Sequence, residues 1–347
     1  MIALLHGAPA FGAVERYVVA VARGLKDADV DATLVYPDVP ELEAFGDSGL
    51  RTITLDPELV AGPTPLLIRS LRRTLRRLDP AVVHVTDTWP AASVAARLAG
   101  VRRLIVTHHT PELRRHDNLA GRLMWRASWL ARPTVVYTSQ ADLQTDGRRL
   151  LHRVVIPLGI DLERFAGARP VGGRGGQTVG NVARLAEQKG HRYLLEAVPL
   201  VLEHHPDARF VIVGDGELRG ELERAAGAAV TFTGERADVP DLLASFDVFA
   251  FPSLFEGLCL AVIEAQAAGV PVVATPVGGI VETVVDGETG LLCDVRDPHS
   301  LADGIVRLLD DRELASRLAA EAKRRAFERF SEREMVRRTL ALYGVRR

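Results

Sequence analysis

The sequence has 347 residues, of which 47% are hydrophobic and 25% are charged, and its formal net charge is -2. This composition is that of an ordinary globular protein and excludes a long disordered segment. A net charge so close to zero gives no reason to expect nucleic acid as a partner.

The length predicts two domains, because a single hydrophobic core rarely grows beyond about 250–300 residues. The two cysteines, Cys259 and Cys293, lie in no metal-binding or disulfide pattern. The chain opens without the features of a signal peptide, and no stretch reaches the roughly 18 apolar residues of a membrane span. We therefore expect a cytoplasmic protein. A small excess of basic residues before residue 165 leaves open a peripheral contact with the inner membrane face.

Short β-branched segments alternate with helical stretches along the chain, in two series of six predicted strands. The first series comprises residues 2–5, 33–36, 82–85, 104–107, 135–138 and 154–156, and the second comprises 179–182, 210–213, 230–233, 248–251, 272–274 and 291–292. These segments are apolar on both faces, which is typical of parallel strands covered by helices on each side. The fold class is therefore α/β, with two Rossmann-like doubly wound domains in tandem.

The predicted domains are residues 1–165 and 178–330. The Gly- and Arg-rich segment 166–177 between them has no apolar periodicity and indicates a linker, and residues 331–347 predict an appended C-terminal helix. Ligands of open α/β sheets bind beyond the carboxyl ends of the strands. We therefore expect a site in a central cleft between the two domains.

In the first domain, polar residues and glycine follow several predicted strands. Gly12 would let the backbone approach a phosphate or sugar closely, and Glu15 suits the first turn of the next helix. His84 and Asp87, near the end of the third predicted strand, either help to bind an acceptor or serve packing and capping. Of His108 and His109, which end the fourth, only one is expected to face the cleft, because successive side chains in a strand point to opposite faces.

The basic segment 113–133 predicts a helix with two faces. Leu119, Leu123 and Leu130 share one face, which predicts core packing. Trp125 and Trp129, with Arg122 and Arg126 nearby, form a second stripe that either packs or contacts a membrane surface or a lipid-linked acceptor.

In the second domain, Arg184 and Lys189 follow the first predicted strand directly. An arginine fork and a lysine point charge could neutralise a leaving diphosphate without a metal ion. Solvated surface charge is the alternative interpretation.

The segment 251–292 carries the strongest signal. Glu256 lies in a loop that feeds a predicted helix, Glu264 lies inside that helix, and the amides of Gly257, Leu258, Cys259 and Leu260 would point out of its start. Free amides and the helix dipole favour an anion such as a diphosphate. The Glu264 carboxylate could accept hydrogen bonds from a ribose diol, and Glu256 could bind sugar hydroxyls. The alternative is that both glutamates are ordinary surface positions, but the density of turn glycines around them argues against it.

This segment resembles the signature of glycosyltransferase family 4, a retaining family with the GT-B fold. The resemblance implies metal-independent transfer of a sugar from a UDP- or GDP-sugar to an unknown acceptor, which is a glycan, a lipid-linked molecule or a small molecule. It also implies that the first domain is the acceptor side. It implies no cofactor and no metal ion, and no Asp-x-Asp motif stands in the expected role.

The same resemblance implies roles for individual residues. Arg184, Lys189 and the loop containing Gly12 are expected near the donor phosphates, and His109 near the donor sugar with Glu256. Backbone atoms in the segment 231–236 are expected near the nucleobase, with Arg236 the side chain at that position. The chain departs from the family pattern at three positions, where Ala13 and Ala183 replace glycine and Leu158 replaces asparagine.

Two alternatives stay open. A UDP-sugar 2-epimerase on the same architecture would convert the donor without an acceptor. A catalytically silent, donor-binding partner subunit would bind nucleotide without hydrolysis or transfer.

Overall fold

The computed structural model describes residues 1–8, 12–61, 64–87, 89–109, 119–145, 151–171 and 177–345. The chain forms two compact units, each built on one parallel sheet. The first unit comprises Met1–Leu158 and Glu332–Arg347, and the second comprises Gly159–Ser331.

The first unit has a seven-stranded sheet with helices on both faces. Strands β1 to β7 are Ile2–Leu5, Ala32–Pro37, Arg51–Leu55, Val82–Val85, Arg103–His108, Thr134–Tyr137 and Arg153–Val155. Helices α1 to α6 are Ala13–Asp27, Pro57–Ala61, Thr64–Leu78, Pro90–Ala99, Leu119–Leu130 and Gln140–Thr145, and a 3-10 helix covers Pro40–Ser48.

The second unit has a six-stranded sheet. Strands β8 to β13 are Thr178–Val182, Arg209–Val213, Val230–Gly234, Val248–Phe251, Val272–Ala274 and Leu291–Leu292. Helices α7 to α14 are Leu162–Ala166, His191–His204, Arg219–Ala225, Val239–Ala244, Leu260–Ala267, Ile280–Thr283, Pro298–Asp310 and Arg312–Arg329, and a 3-10 turn covers Glu187–Lys189. The last helix of the chain, α15, is Glu332–Tyr343 and belongs to the first unit.

Both sheets are doubly wound. Their strand orders are β3-β2-β1-β4-β5-β6-β7 and β10-β9-β8-β11-β12-β13, with every described pairing between these strands parallel. The order reverses between β1 and β4 in the first sheet and between β8 and β11 in the second. At such switch points the loops leave the sheet in opposite directions and open a crevice for ligands.

Strand β3 is absent from the predicted series. Of its five residues only Leu55 is buried, and Arg51 and Thr54 are exposed, because β3 is an edge strand. An edge strand with one solvated face lacks the continuous apolar run by which the other strands are recognised.

The division of the chain differs from the sequence-based boundaries of 165 and 178. The first unit ends at Leu158, and α7 packs on α10 and α11 of the second unit. The C-terminal helix packs on α1, where Val336 lies so close to Gly24 that a Cβ atom there would be 2.3 Å from its Cγ1. The segment from Glu332 onwards therefore completes the first unit, and Ser331 still belongs to the second.

The prediction that the leucines of α5 pack into the core is wrong, because the helix is rotated the other way. Leu123 and Leu130 are exposed, and the side chain of Leu119 lies outside the described residues. The rings of Trp125 and Trp129 lie 5.2 Å apart, and Trp129 stacks on His108 at 5.6 Å. The large flat rings remove more apolar area from water at this position than the leucines would, so the tryptophan stripe packs.

No helix in the described part of the chain is both long enough and apolar enough to cross a bilayer.

Candidate active site

In the second unit, the polar residues singled out from the sequence follow β8 and β11, the two strands of the switch point. Asn181 and His191 hold the first of these loops in place. The Asn181 amide donates to the carbonyl of Ala250 on β11 at 2.8 Å, and its Oδ1 lies 3.1 Å from Nε2 of His191. Burial lowers the pKa of His191 to about 4, so the ring is neutral and structural.

Lys189 and Glu256 meet at this switch point. The Lys189 ammonium donates to Oε1 of Glu256 at 2.6 Å, and the side chains are only 18% and 7% exposed. The hydroxyl of Ser253 lies 2.6 Å from the same oxygen, and the ammonium lies 5.3 Å from the centre of the Phe251 ring. The sequence therefore placed both residues in one site, but did not predict that they pair with each other.

The loop after Glu256 ends in the buried helix α11, which begins at Leu260 with Cys259 as its N-cap. Among the described residues, nothing accepts a hydrogen bond from the amides of Gly257, Leu258, Cys259 or Leu260. Glu264 lies within α11 and is 5% exposed. Burial raises the pKa of the Cys259 thiol well above its usual range, so the thiol is neutral. The helix start thus offers bare amides without a negative charge from the cysteine.

Two glycines bring a second loop against this helix start. A Cβ atom on Gly278 would lie 1.8 Å from the carbonyl oxygen of Glu256, and the backbone there has φ of +52°. The amide of Gly279 donates to the carbonyl of Gly257 at 2.9 Å. Only glycine permits this approach, which fixes the path of the loop carrying Glu256.

Arg184 and Arg236 differ in their freedom to bind a ligand. Arg184 is exposed and makes no ion pair within the described residues. Arg236 is held at the surface by a two-point pair with Asp238, at 2.8 and 2.7 Å. The guanidinium of Arg236 is therefore engaged with Asp238 in a solvated pair, of the kind that contributes little to stability.

In the first unit, His108 and His109 do point to opposite sides, since His108 stacks between Trp129 and Tyr137. Nε2 of the buried His109 lies 2.8 Å from the carbonyl oxygen of Thr86, which can only accept, so Nε2 carries the proton. Burial lowers the pKa of His109 to about 4. Its Nδ1 is then a lone-pair acceptor, buried and without a partner among the described residues.

A second polar cluster in the first unit includes His6, which the sequence analysis missed. His6 follows β1 directly, with Nδ1 3.1 Å from the Thr86 hydroxyl and Nε2 3.2 Å from Oε1 of Glu15. Oδ2 of Asp87 accepts hydrogen bonds from the backbone amides of Gly7 and Ala8. Burial raises the pKa of the Asp87 carboxyl. A histidine directly after the first strand, at the carboxyl edge of the sheet, was the signal available in the sequence.

The contacts of His84 and Gly12 are explained by the fold alone. Both ring nitrogens of His84 are engaged, by the Tyr343 hydroxyl at 2.6 Å and the Thr107 hydroxyl at 2.7 Å, and burial lowers its pKa to about 3. His84 is thus a packing residue, the second of the two interpretations. Gly12 caps α1 with an extended φ of -169°, and a Cβ atom there would make only ordinary contact with Glu15. The fold itself does not require glycine at position 12.

Among the described residues, no group of three or more His, Cys, Asp or Glu side chains could hold a metal ion.

Comparison with known proteins identifies the family. Residues 14–164 match the model described as Glycosyltransferase Family 4, and residues 176–311 match the model described as Glycosyl transferases group 1. A GDP-mannose-dependent alpha-(1-6)-phosphatidylinositol monomannoside mannosyltransferase of Mycobacterium tuberculosis is 30% identical, over 91% of this chain and 90% of that protein. The UDP-Gal:alpha-D-GlcNAc-diphosphoundecaprenol alpha-1,3-galactosyltransferase of Escherichia coli is 28% identical, over 88% of this chain and 87% of that protein.

Solved structures share the fold. A glycosyltransferase from Rickettsia africae matches with a TM-score of 0.85 at 20% identity, covering 99% of this chain and 98% of that chain. Anabaena HepE in complex with UDP and glucose matches with a TM-score of 0.82 at 21% identity, covering 99% of both chains. With both sheets in Rossmann-like order and the matched segments spanning both units, the chain belongs to the family 4 glycosyltransferases and has the GT-B fold.

Proposed function

We propose that this glycosyltransferase takes its sugar from a UDP- or GDP-sugar, whose diphosphate binds at the switch point of the second unit. One observation carries the proposal. Lys189, a largely buried lysine held by a 2.6 Å pair with Glu256, lies beside the start of α11. The four amides of residues 257–260 at that start have no acceptor among the described residues. Cationic and amide donors together are what a diphosphate requires.

These donors also suit the chemical step. As the bond between the sugar and the diphosphate breaks, negative charge grows on the departing diphosphate. The Lys189 ammonium and the amides of residues 257–260 would hold that charge more strongly in the transition state than in the bound donor. Arg184, which is exposed and unpaired within the described residues, would reach the same phosphates from the loop after β8.

The remaining residues would hold the ribose and the sugar. Glu264 would accept the ribose hydroxyls, as acidic residues do in dinucleotide-binding folds. His109 would accept a hydrogen bond from a sugar hydroxyl at its free Nδ1, because its other nitrogen is committed to Thr86. Glu256 would orient sugar hydroxyls with Oε2, since Oε1 is committed to Lys189 and Ser253.

The printed names of the relatives support a nucleotide-sugar donor. One relative is named for UDP-Gal, another for GDP-mannose, and the HepE structures hold UDP or UDP-glucose. Screening UDP, GDP and ADP for an increase in melting temperature tests the donor directly, because a ligand bound only by the folded protein stabilises it. The proposal requires stabilisation by UDP or GDP, and its abolition in Glu264→Ala at unchanged fold. Stabilisation by neither nucleotide would refute it.

We further propose that transfer retains the anomeric configuration and needs no metal ion, as the family resemblance implies. Nuclear magnetic resonance of the anomeric proton in the first-formed product tests retention. Activity in excess chelator tests metal independence, and its full loss with recovery on adding a divalent cation would contradict this part of the proposal.

The two other functions considered from the sequence have no observation in their favour. An epimerase would convert the donor sugar in the absence of any acceptor, and a silent subunit would bind nucleotide without turnover. Incubating the protein with donor alone and then with an acceptor mixture separates all three.

A further inference from the structure

One face of the first unit carries an unusual charge distribution. Helices α3, α4 and α5 connect consecutive strands β3 to β6 and pack side by side, α3 on α4 and α4 on α5. Their sequences contain eight arginines and no aspartate or glutamate. In contrast, α1 and α15 each carry acidic as well as basic residues.

Helix α3 shows the pattern most clearly. Its buried stripe is Leu67, Leu71 and Leu75, which pack into the core of the unit. At 100° per residue, Leu66, Arg69, Arg73 and Arg76 lie on the opposite side of the helix, and all four are exposed.

The exposed arginines of α3 are unpaired within the described residues. The side chains of Arg69, Arg73, Arg76 and Arg77 make no ion pair and no hydrogen bond there. On α15, by contrast, an arginine has an acidic partner on the same helix, since Arg337 pairs with Glu334. A helix dipole favours cations in the last turn, which accounts for Arg76 and Arg77 but not for Arg69 and Arg73.

Apolar side chains are exposed on the same three helices. Leu66, Leu98, Leu123 and Leu130 are the large hydrophobic residues of the first unit that are exposed among its described residues, and Leu130 is 84% exposed. They lie on α3, α4 and α5, and Arg126 and Arg132 flank the two on α5. We define the basic face as the outward side of these helices, with Leu66, Arg69, Arg73, Leu98 and Leu130 as its markers.

We propose that the basic face docks this enzyme on an anionic lipid bilayer. Unpaired arginines attract anionic headgroups, and leucines that protrude among them can enter the boundary between headgroups and acyl chains. A nucleic acid would satisfy the arginines but would leave the leucines without a partner. Peripheral docking by this face differs from the tryptophan stripe suggested by the sequence, which packs inward. It does not depend on the donor proposed above.

The test is co-sedimentation of the full chain with lipid vesicles, one set of phosphatidylcholine alone and one in which phosphatidylglycerol replaces part of it. We expect binding to the anionic vesicles only, and weaker binding as salt rises to ~0.15 M and beyond, because the Debye length shortens to about 8 Å. Equal binding to both vesicle types, or none to the anionic vesicles, would overturn the proposal.

Substitutions of the arginines on α3 test whether the basic face is the part of the protein that binds the vesicles. The combination of Arg69→Gln, Arg73→Gln, Arg76→Gln and Arg77→Gln should lower partitioning by at least about a hundredfold, since each basic residue near an anionic surface contributes about fivefold. The matched control changes Arg209, Arg307, Arg312 and Arg317 to Gln, which are exposed arginines of the second unit. Both must keep the wild-type melting temperature. A control that loses binding equally would mean that net charge, not the face, is responsible.

A second variant tests the apolar part of the face independently of charge. Leu123→Ser with Leu130→Ser should weaken binding to anionic vesicles while keeping its salt dependence. Retention of the protein by single-stranded RNA in competition with those vesicles, with no loss in the leucine variant, would identify a nucleic acid surface and refute lipid docking.

Discussion

The ammonium of Lys189 lies 2.6 Å from Oε1 of Glu256, although the two residues are 67 positions apart in the chain. The pair joins the loop after β8 to the loop after β11 and leaves the lysine beside the start of α11. Because Glu256 already holds the ammonium, the lysine is in place before a donor binds, and an arriving diphosphate would compete with Glu256 for it. This is preorganisation of a charge that would otherwise have to be ordered during binding.

Replacing Lys189 with alanine tests the role of this charge. We expect kcat/KM for the donor to fall about 10²–10³-fold, the cost typical of removing one donor from a developing anion. Steady-state kinetics with Lys323→Ala as the control, a lysine on α14, measures the effect. Wild-type kinetics in Lys189→Ala would show that Lys189 does not bind the donor phosphates.

The same substitution leaves the Glu256 carboxylate, 7% exposed, with the Ser253 hydroxyl but without its cationic partner. We therefore expect Lys189→Ala to lower the free energy of unfolding by about 1–3 kcal/mol, and Lys189→Ala with Glu256→Gln to recover part of it. Urea denaturation of the single and double variants gives the coupling energy. Strict additivity would show that the pair contributes nothing to folding.

Gly278 and Gly287 offer a matched pair of left-handed glycines, with φ of +52° and +71°. A Cβ atom at 278 would strike the carbonyl of Glu256 at 1.8 Å, whereas one at 287 would meet nothing within 4 Å. Gly278→Ala should cost at least about 3 kcal/mol and abolish donor binding, and Gly287→Ala only about 1–2 kcal/mol with activity kept. Equal costs in thermal denaturation would mean that the loop at 278 moves aside freely.

The sequence predicted the fold well where burial is two-sided. Segments such as 82–85 and 248–251 coincide with β4 and β11 because a strand covered on both faces is apolar throughout. Strand β3 escaped prediction because it lies at the sheet edge. The packing of α15 on the first unit was not predicted either. It depends on long-range contacts such as that between Tyr343 and His84, 259 positions apart, which no local sequence pattern indicates.

The loops that form the candidate site were predicted from the sequence, but the pairing of side chains within them was not. Strand ends identified the loops that carry Lys189 and Glu256, since the switch point follows from strand order. Side-chain pairing within those loops was beyond the sequence, as was the engagement of Arg236 by Asp238. His6 was missed because its partner Glu15 belongs to the next element, and the pattern becomes visible only when strand and helix are brought together.

The buried histidines predict how stability depends on pH. Burial lowers the pKa of His84 to about 3, against about 6.5 in an unfolded chain. Between these values the unfolded chain binds more protons, so the free energy of unfolding should fall as pH drops from about 6.5, by up to about 1.4 kcal/mol per pH unit for this residue. Urea denaturation of His84→Gln and wild type at several pH values should show a difference that shrinks as pH falls. A difference independent of pH would mean that His84 titrates alike in both states.

Tyr343 anchors the C-terminal helix through the same histidine. Its hydroxyl lies 2.6 Å from Nδ1 of His84, and burial raises the pKa of the tyrosine, so the phenol is neutral. Tyr343→Phe removes one hydroxyl and leaves a buried ring nitrogen without its partner. We expect a loss of about 1–3 kcal/mol in the free energy of unfolding.

Tyr193→Phe is the control for this change, because its hydroxyl has no hydrogen-bond partner among the described residues. Hydrogen exchange of the α15 amides separates a local from a global effect. If the hydroxyl fastens α15 to β4, exchange should accelerate in α15 before the sheet of the first unit is affected. Equal acceleration in α15 and β1 would mean that the helix unfolds only with the whole unit, and unchanged exchange with unchanged stability would show that the hydroxyl fastens nothing.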